Sequence, residues 1–235
     1  MVSIIIPSFD SSAFLKECIG SIRSSLFHHQ YEILIGIDNC QSTLDYIVEN
    51  KQEFKDVTVL YFQKNVGPYV VKNTLVDLAK TEKILFFDSD DIINEDTLDS
   101  FNAEIDNYDF VRLTYRNFDT DSKNIGSIES EILSDAVIGI KKSVFNELNG
   151  FYPWRCAADS EFSERLDHFQ KIGITLSGIS YNRRIHENNL TVKKDTNLKS
   201  KRRSGYRFII GENRKKGDWP NPEIKYTEDY NKIEL

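Results

Sequence analysis

A chain of 235 residues, 40% hydrophobic and 29% charged, is long enough to bury the core of one α/β domain, and fifteen Phe and eleven Tyr argue against disorder. Three cysteines (Cys18, Cys40, Cys156), odd in number and without a CxxC, exclude a disulfide framework and a cysteine zinc site and fit a reducing compartment. A net charge of −7 argues against a nucleic-acid binder built on one large positive field, and with no leader pattern and no apolar run near a bilayer's width the expectation is a cytoplasmic protein.

In chain order, residues 2–6 form a short apolar run that reads as a buried strand. Phe14, Leu15, Cys18, Ile19, Ile22 and Leu26 then recur at three-and-four spacing, which predicts an amphipathic helix with Ser11 or Ser12 as its N-cap, followed by a solvent-exposed loop with His28 and His29. A strand at 32–37, a helix from Thr43 and a strand at 57–62 follow. Next come a helix with Val71, Leu75, Leu78 and Ala79 on its apolar face and a strand at 84–87. The second half is less regular. Strands are predicted at 110–115 and 136–140, with a short helix at 142–148 stopped by Asn149-Gly150. A helix from 159 to about 169 precedes strand-like runs within 172–185. Past Arg184 the composition turns polar, and Pro220 and Pro222 break any regular element.

Strand and helix alternating in this way predict βαβ units and a mostly parallel sheet, whose ligands sit at the carboxyl ends of the strands. Three polar clusters follow strands here: Pro7-Ser8-Phe9-Asp10, Asp38-Asn39 and Asp88-Ser89-Asp90-Asp91. They are expected to meet at one edge of the sheet. The last is the most informative, because three carboxylates beside one another repel unless something neutralises them. Magnesium or manganese bridging a carboxylate to substrate phosphates removes that cost; a solvated loop capping the next helix is the plainer alternative.

These segments, with Val2-Ser3-Ile4-Ile5-Ile6-Pro7, Asn65-Val66-Gly67, Lys72-Asn73, Gly150-Phe151, Ala158-Asp159-Ser160-Glu161-Phe162, Arg184-Ile185-His186 and Asn189-Leu190-Thr191, resemble family 2 glycosyltransferases of the GT-A fold over about residues 2–190. The resemblance implies an α/β, Rossmann-like, mostly parallel sheet flanked by helices in a single domain. Residues 1–91 form its nucleotide-sugar half, 92–191 an irregular acceptor half, and 192–235 a basic, polar C-terminal tail. It implies transfer of one sugar, with inversion, from a nucleoside diphosphate (UDP above all) to a glycan, lipid-linked or glycoprotein hydroxyl, with Mn2+ or Mg2+ as cofactor. Pro7, Ser8, Asp38, Lys72, Asp88 and Ser89 then line the donor nucleotide, with Asp38 accepting from the base. Asp90, Asp88 and His186 hold the metal, and Asp159 is the general base.

Two departures from the family pattern matter. Asn39-Cys40 follows Asp38 where many relatives have Asp-Gly-Ser. Ala158 precedes Asp159 where many have Glu, so Glu161 stays open as an alternative base. Trp154, just before this segment, is a candidate platform for an acceptor sugar. Two other readings compete with this one. A nucleotide-sugar-binding module without turnover would be expected to lack the metal acid or the base, and this chain keeps both Asp90 and Asp159. A haloacid-dehalogenase-like phosphatase would carry its Asp-x-Asp on the first strand, not after several elements. Finally, residues 193–216 carry ten basic and two acidic residues, which suggests a local basic patch, a solvated tail or a peripheral contact with an anionic membrane.

Overall fold

The computed structural model describes residues 1–25, 30–119, 131–220, 222–223 and 226–235. Four strands, β1 (Val2–Ser8), β2 (Tyr31–Ile37), β3 (Val57–Phe62) and β4 (Lys83–Phe86), lie parallel in the order β3-β2-β1-β4. They are Val-, Ile- and Leu-rich because both faces of this part of the sheet are covered. Ile4 and Ile6 point into one core with Leu15, Cys18, Ile19 and Ile22 of α1 (Leu15–Arg23) and Ile47 of α2 (Gln41–Glu49). Ile5 and Leu34 point into the other, with Val71, Leu75 and Val76 of α3 (Pro68–Leu78). α3 approaches β2 so closely that a Cβ on Gly36 would lie 2.4 Å from Val71 Cγ1, so the position admits no side chain without displacement.

Beyond β4 the sheet changes sense. β7 (Ile132–Lys141) runs antiparallel to β4 and to β6 (Phe110–Asp119). β6 then pairs in parallel with β8 (Gly173–Thr175) and β9 (Tyr181–Ile185), and β9 holds the short β5 (Ile92–Ile93). α4 (Thr97–Glu104) covers one face; α5 (Lys142–Glu147) and α6 (Ala158–His168) cover the other. Among the described residues five strand pairs are parallel and four antiparallel, with β7 the antiparallel strand set between the parallel core and β6.

Two local expectations differ from the structure. The first helix is capped at Phe14 with no side-chain cap bond, and the Ser11 hydroxyl instead meets Ser89 Oγ at 2.8 Å. Nor are residues 192–235 a plain polar tail. They form α7 (Lys201–Lys216) and then β10 (Tyr230–Ile233), which adds antiparallel to β3 and extends the same sheet. Ser200 caps α7 by accepting from the Arg203 amide, a local signal of the usual kind; β10 depends on Tyr230 packing on Phe62, which no local pattern reveals. Cys18, Cys40 and Cys156 are free and buried.

Candidate functional site

The carboxyl ends of β1, β2 and β4 bring the three polar clusters to one edge. Their loops are braced by interior hydroxyls, Ser8 to Ser11 at 3.1 Å and Ser11 to Ser89 at 2.8 Å. Ser8 and Ser89 are buried there. Asp38 is engaged by the chain itself. Its two oxygens accept from the amides of Val66 (2.6 Å) and Gly67 (2.9 Å), and only 4% of the residue is exposed. Burial raises its carboxyl pKa, and those two amides oppose the rise. Asp38 therefore fixes the turn into α3, where Gly67 has φ +92° and Pro68 starts the helix; a base contact would be an additional bond on a nearly covered side chain. Arg155 covers the same turn, donating through Nη2 to Asn65 O at 2.9 Å and through Nη1 to Asn65 Oδ1.

Asp90 is the best-supported carboxylate of the edge. Its Oδ2 lies 2.8 Å from His186 Nε2 and 2.9 Å from Asn189 Nδ2. Asn189 in turn accepts from the His186 amide at 2.7 Å, so the two residues are placed as a unit. Arg184 holds the loop from behind. Its Nε donates to Asp90 O at 2.8 Å, its amide to Asp91 Oδ1 at 2.9 Å, and its guanidinium pairs with Glu17 while lying over Phe14 and Phe118. Burial, with the charges of Asp90 and Asp88 behind it, pushes the Asp91 carboxyl well above the usual range. Asp88 is more open and pairs with Lys72 Nζ at 3.3 Å.

Lys72 is buried. At 3% exposure, with Nζ also on Ala136 O (3.2 Å), it pairs with Asp88 from inside the fold. After His186 the chain folds back over the β1 loop: Asn188 Nδ2 donates to Asp10 Oδ2 (3.1 Å), and Lys193 Nζ sits 5.3 Å from the Phe9 ring centroid.

Among the described residues no group of three or more His, Cys, Asp or Glu side chains is arranged to hold a metal. The donor set nevertheless fits a divalent ion that also binds a diphosphate. Magnesium and manganese on such substrates take one or two protein ligands and complete their shell with phosphate oxygens and water, and Asp90 with His186 supplies two.

Ala136 links this cluster to a second one. Its neighbour Asp135 accepts from Ser160 Oγ (3.2 Å) and Arg112 Nη1 (3.3 Å), and burial, then the charge of Asp159, raises its carboxyl pKa. Asp159 is the second residue of α6; the cap is Ala157, in the left-handed region at φ 67°. Asp159 Oδ1 accepts from the Tyr69 hydroxyl at 2.8 Å and from the Ser160 amide at 3.0 Å. Tyr69, Asp135 and Arg112 were not singled out from the sequence, since each is defined by a partner far along the chain; Asn189 stood within the Asn189-Leu190-Thr191 motif, but its bond to Asp90 was not foreseen.

Two sequence candidates stand elsewhere. Glu161 is fully buried and its Oε1 accepts from Arg165 Nε at 2.7 Å, while that guanidinium also donates to the carbonyls of Leu148 and Gly150. A hydroxyl acceptor has no access to it, so Glu161 is a core ion pair and not an alternative base. Burial raises its carboxyl from 4.5 to about 6, against the pull of Arg165. The native state therefore holds this proton more tightly than the unfolded chain, and the stability so gained is present below pH 4.5 and fades as pH rises through about 6. Urea unfolding of wild type should lose about 2 kcal/mol across that window relative to Glu161→Gln, whose slope lacks this contribution. Turnover of folded Glu161→Gln should match wild type. The second is Trp154, which is stacked between Tyr206 (4.3 Å, 6°) and Tyr152 (5.0 Å, 21°). Its ring is thus engaged in an aromatic stack within the chain itself.

The family model for glycosyl transferase family 2 matches residues 3–165. The poly(ribitol-phosphate) beta-glucosyltransferase of Bacillus spizizenii is 34% identical over 100 residues, covering 41% of this chain and 16% of that protein. The GalNAc(5)-diNAcBac-PP-undecaprenol beta-1,3-glucosyltransferase of Campylobacter jejuni is 32% identical over 92 residues, covering 38% of this chain and 29% of that protein. Among solved structures, Staphylococcus aureus TarS in complex with UDP-GlcNAc aligns with a TM-score of 0.67 at 20% identity, over 80% of this chain and 59% of that one. The mannosyltransferase PcManGT of Pyrobaculum calidifontis, in complex with GDP-Man and Mn2+, aligns with a TM-score of 0.66 at 17% identity, over 80% and 58%. At these identities the structural likeness speaks for the fold alone. The chain matches less than a third of the length of either curated relative.

Proposed function

The chain belongs to glycosyl transferase family 2, and from that premise we propose that it moves one sugar from a nucleoside-diphosphate sugar, UDP-linked, to a hydroxyl of a glycan, lipid-linked or glycoprotein acceptor. The observation that carries the proposal is the pairing of Asp90 with His186 at the carboxyl edge of the sheet, joined through Asp88, Lys72 and the Ala136 carbonyl to the Asp135–Ser160–Asp159 cluster. Donor and acceptor chemistry would then meet across β7. UDP-GlcNAc and GDP-Man in the solved relatives support a nucleotide sugar as donor.

A divalent cation on Asp90 and His186 would supply Lewis-acid stabilisation of the charge that gathers on the departing diphosphate. The chain's own residues do the rest. Arg184 and Asn189 hold Asp90 in place, and Lys72 pairs with Asp88 beside it. Tyr69 and the Ser160 amide turn one oxygen of Asp159 inward, which leaves the other to take the acceptor's proton as its oxygen attacks the anomeric carbon. A single carboxylate base with no side-chain nucleophile opposite it gives inversion.

The test is a thermal-shift screen of UDP- and GDP-sugars with and without manganese. Stabilisation that needs both a UDP-sugar and the ion is the expected result, and none with any nucleotide sugar would defeat the proposal. For the stereochemistry, proton NMR of the product should show the opposite anomer to the donor; a retained anomer contradicts the single-displacement reading.

A further inference from the structure

Residues 193–216 carry a net charge of +8 in a chain of −7, which leaves −15 on the remainder. α7 lies inside this segment and is not free to swing. Tyr206 stacks on Trp154, Arg214 pairs with Glu164 of α6, and the buried Arg203 donates to Thr196 O at 2.8 Å. Those contacts fix which face of α7 points away from the body. At 100° per residue, the face opposite Arg203 and Ile210 holds Lys201, Phe208, Ile209, Lys215 and Lys216, with Arg202 at its margin. Phe208 is 68% exposed, the highest value of any large apolar side chain among the described residues, and Ile209 is 43% exposed. Glu212 shares the face but is paired with Lys215 at 2.9 Å. No helix among the described residues is long and apolar enough to cross a membrane.

We propose that this face of α7 docks the protein on an anionic lipid bilayer, with Phe208 and Ile209 entering the interface between the cations. Charge complementarity selects the occupant and its orientation. Within the roughly 8 Å Debye length of physiological salt, the remaining −15 is repelled by an anionic surface and only this strip is attracted. The exposed Phe and Ile separate a bilayer from a soluble polyanion, which would be served by the cations alone. Because α7 is tied to α6 and to Trp154, a surface bound there lies beside the elements that carry Asp159. The proposal is independent of the glycosyl-transfer reading.

The test is co-sedimentation of the full chain with phosphatidylcholine vesicles that do or do not contain phosphatidylglycerol. Binding is expected only with phosphatidylglycerol, and it should weaken as salt is raised. Lys215→Ala and Lys216→Ala should each lower the partition coefficient about fivefold, and Phe208→Ser about tenfold. Tryptophan emission of Phe208→Trp should shift to the blue on these vesicles, the native Trp154 and Trp219 being already packed. An unchanged thermal midpoint and unchanged nucleotide-sugar binding in the variants keep the result separate from folding and from the donor site. Absence of binding to phosphatidylglycerol vesicles overturns the proposal. So does binding that Phe208→Ser leaves intact. Capture of soluble polyphosphate in place of vesicles, weakened by the lysine variants alone, would likewise overturn it and assign the face to a soluble polyanion.

Discussion

Asp159→Asn is expected to lower kcat by about 10²- to 10⁴-fold, the usual worth of a general base, while leaving donor affinity nearly unchanged. The substitution preserves volume and one acceptor oxygen, so Tyr69 and the Ser160 amide can still be satisfied. What it removes is the capacity to take a proton. The measurement is turnover at saturating donor together with calorimetric donor binding on the same protein. Retained turnover would move the role to Asp135, the carboxylate that shares Ser160 with this cluster. Glu161 is no longer a contender, because it is enclosed with Arg165. Tyr69→Phe is the companion variant: it loses the bond that orients Asp159 and should lower kcat less than Asp159→Asn does, with donor affinity again preserved.

Asp90→Asn is expected to weaken donor binding in manganese by about 100-fold or more, since the change removes a ligand's charge as well as the partner that orients His186. Binding without metal should barely differ from wild type, so the manganese-dependent part of the thermal shift should vanish. The contrast locates the effect. A variant that lost binding equally with and without the ion would point to collapse of the 88–91 loop, and Asp90 would not be the metal ligand. The loop has its own supports in Arg184 on Asp90 O and the Asp91 carboxylate on the Arg184 amide, so such a collapse is not expected.

Much of this arrangement was legible before any coordinates. The β3 strand at 57–62 was read to the residue, and the strands carrying Ser8, Asp38 and Asp88 were found within two residues of their ends. These strands are short apolar runs between turn residues, a pattern set by local composition and by the period of the chain. The convergence of the three polar clusters followed from one topological rule about parallel strands. What local pattern did not supply was the surroundings of single side chains, which come from distant sequence. Lys72, expected to line the donor nucleotide, is carried by α3 to the inside, against Asp88 and Ala136 O. Trp154, expected as a platform for an acceptor sugar, is stacked against Tyr206 of α7. Leu26, His28 and His29 lie outside the described residues.

The sequence by itself determined the alternating α/β order and the edge at which the acidic clusters gather, because hydrophobic period, turn residues and carboxylate spacing are properties of neighbours along the chain. Tertiary structure alone decided which carboxylate is accessible, which cation is buried, and that the last forty residues extend the sheet and present a basic, aromatic-tipped helix. Those outcomes depend on contacts between residues far apart in the chain, such as Arg184 with Glu17 at 167 positions, where burial and partner choice are settled by packing and not by local pattern.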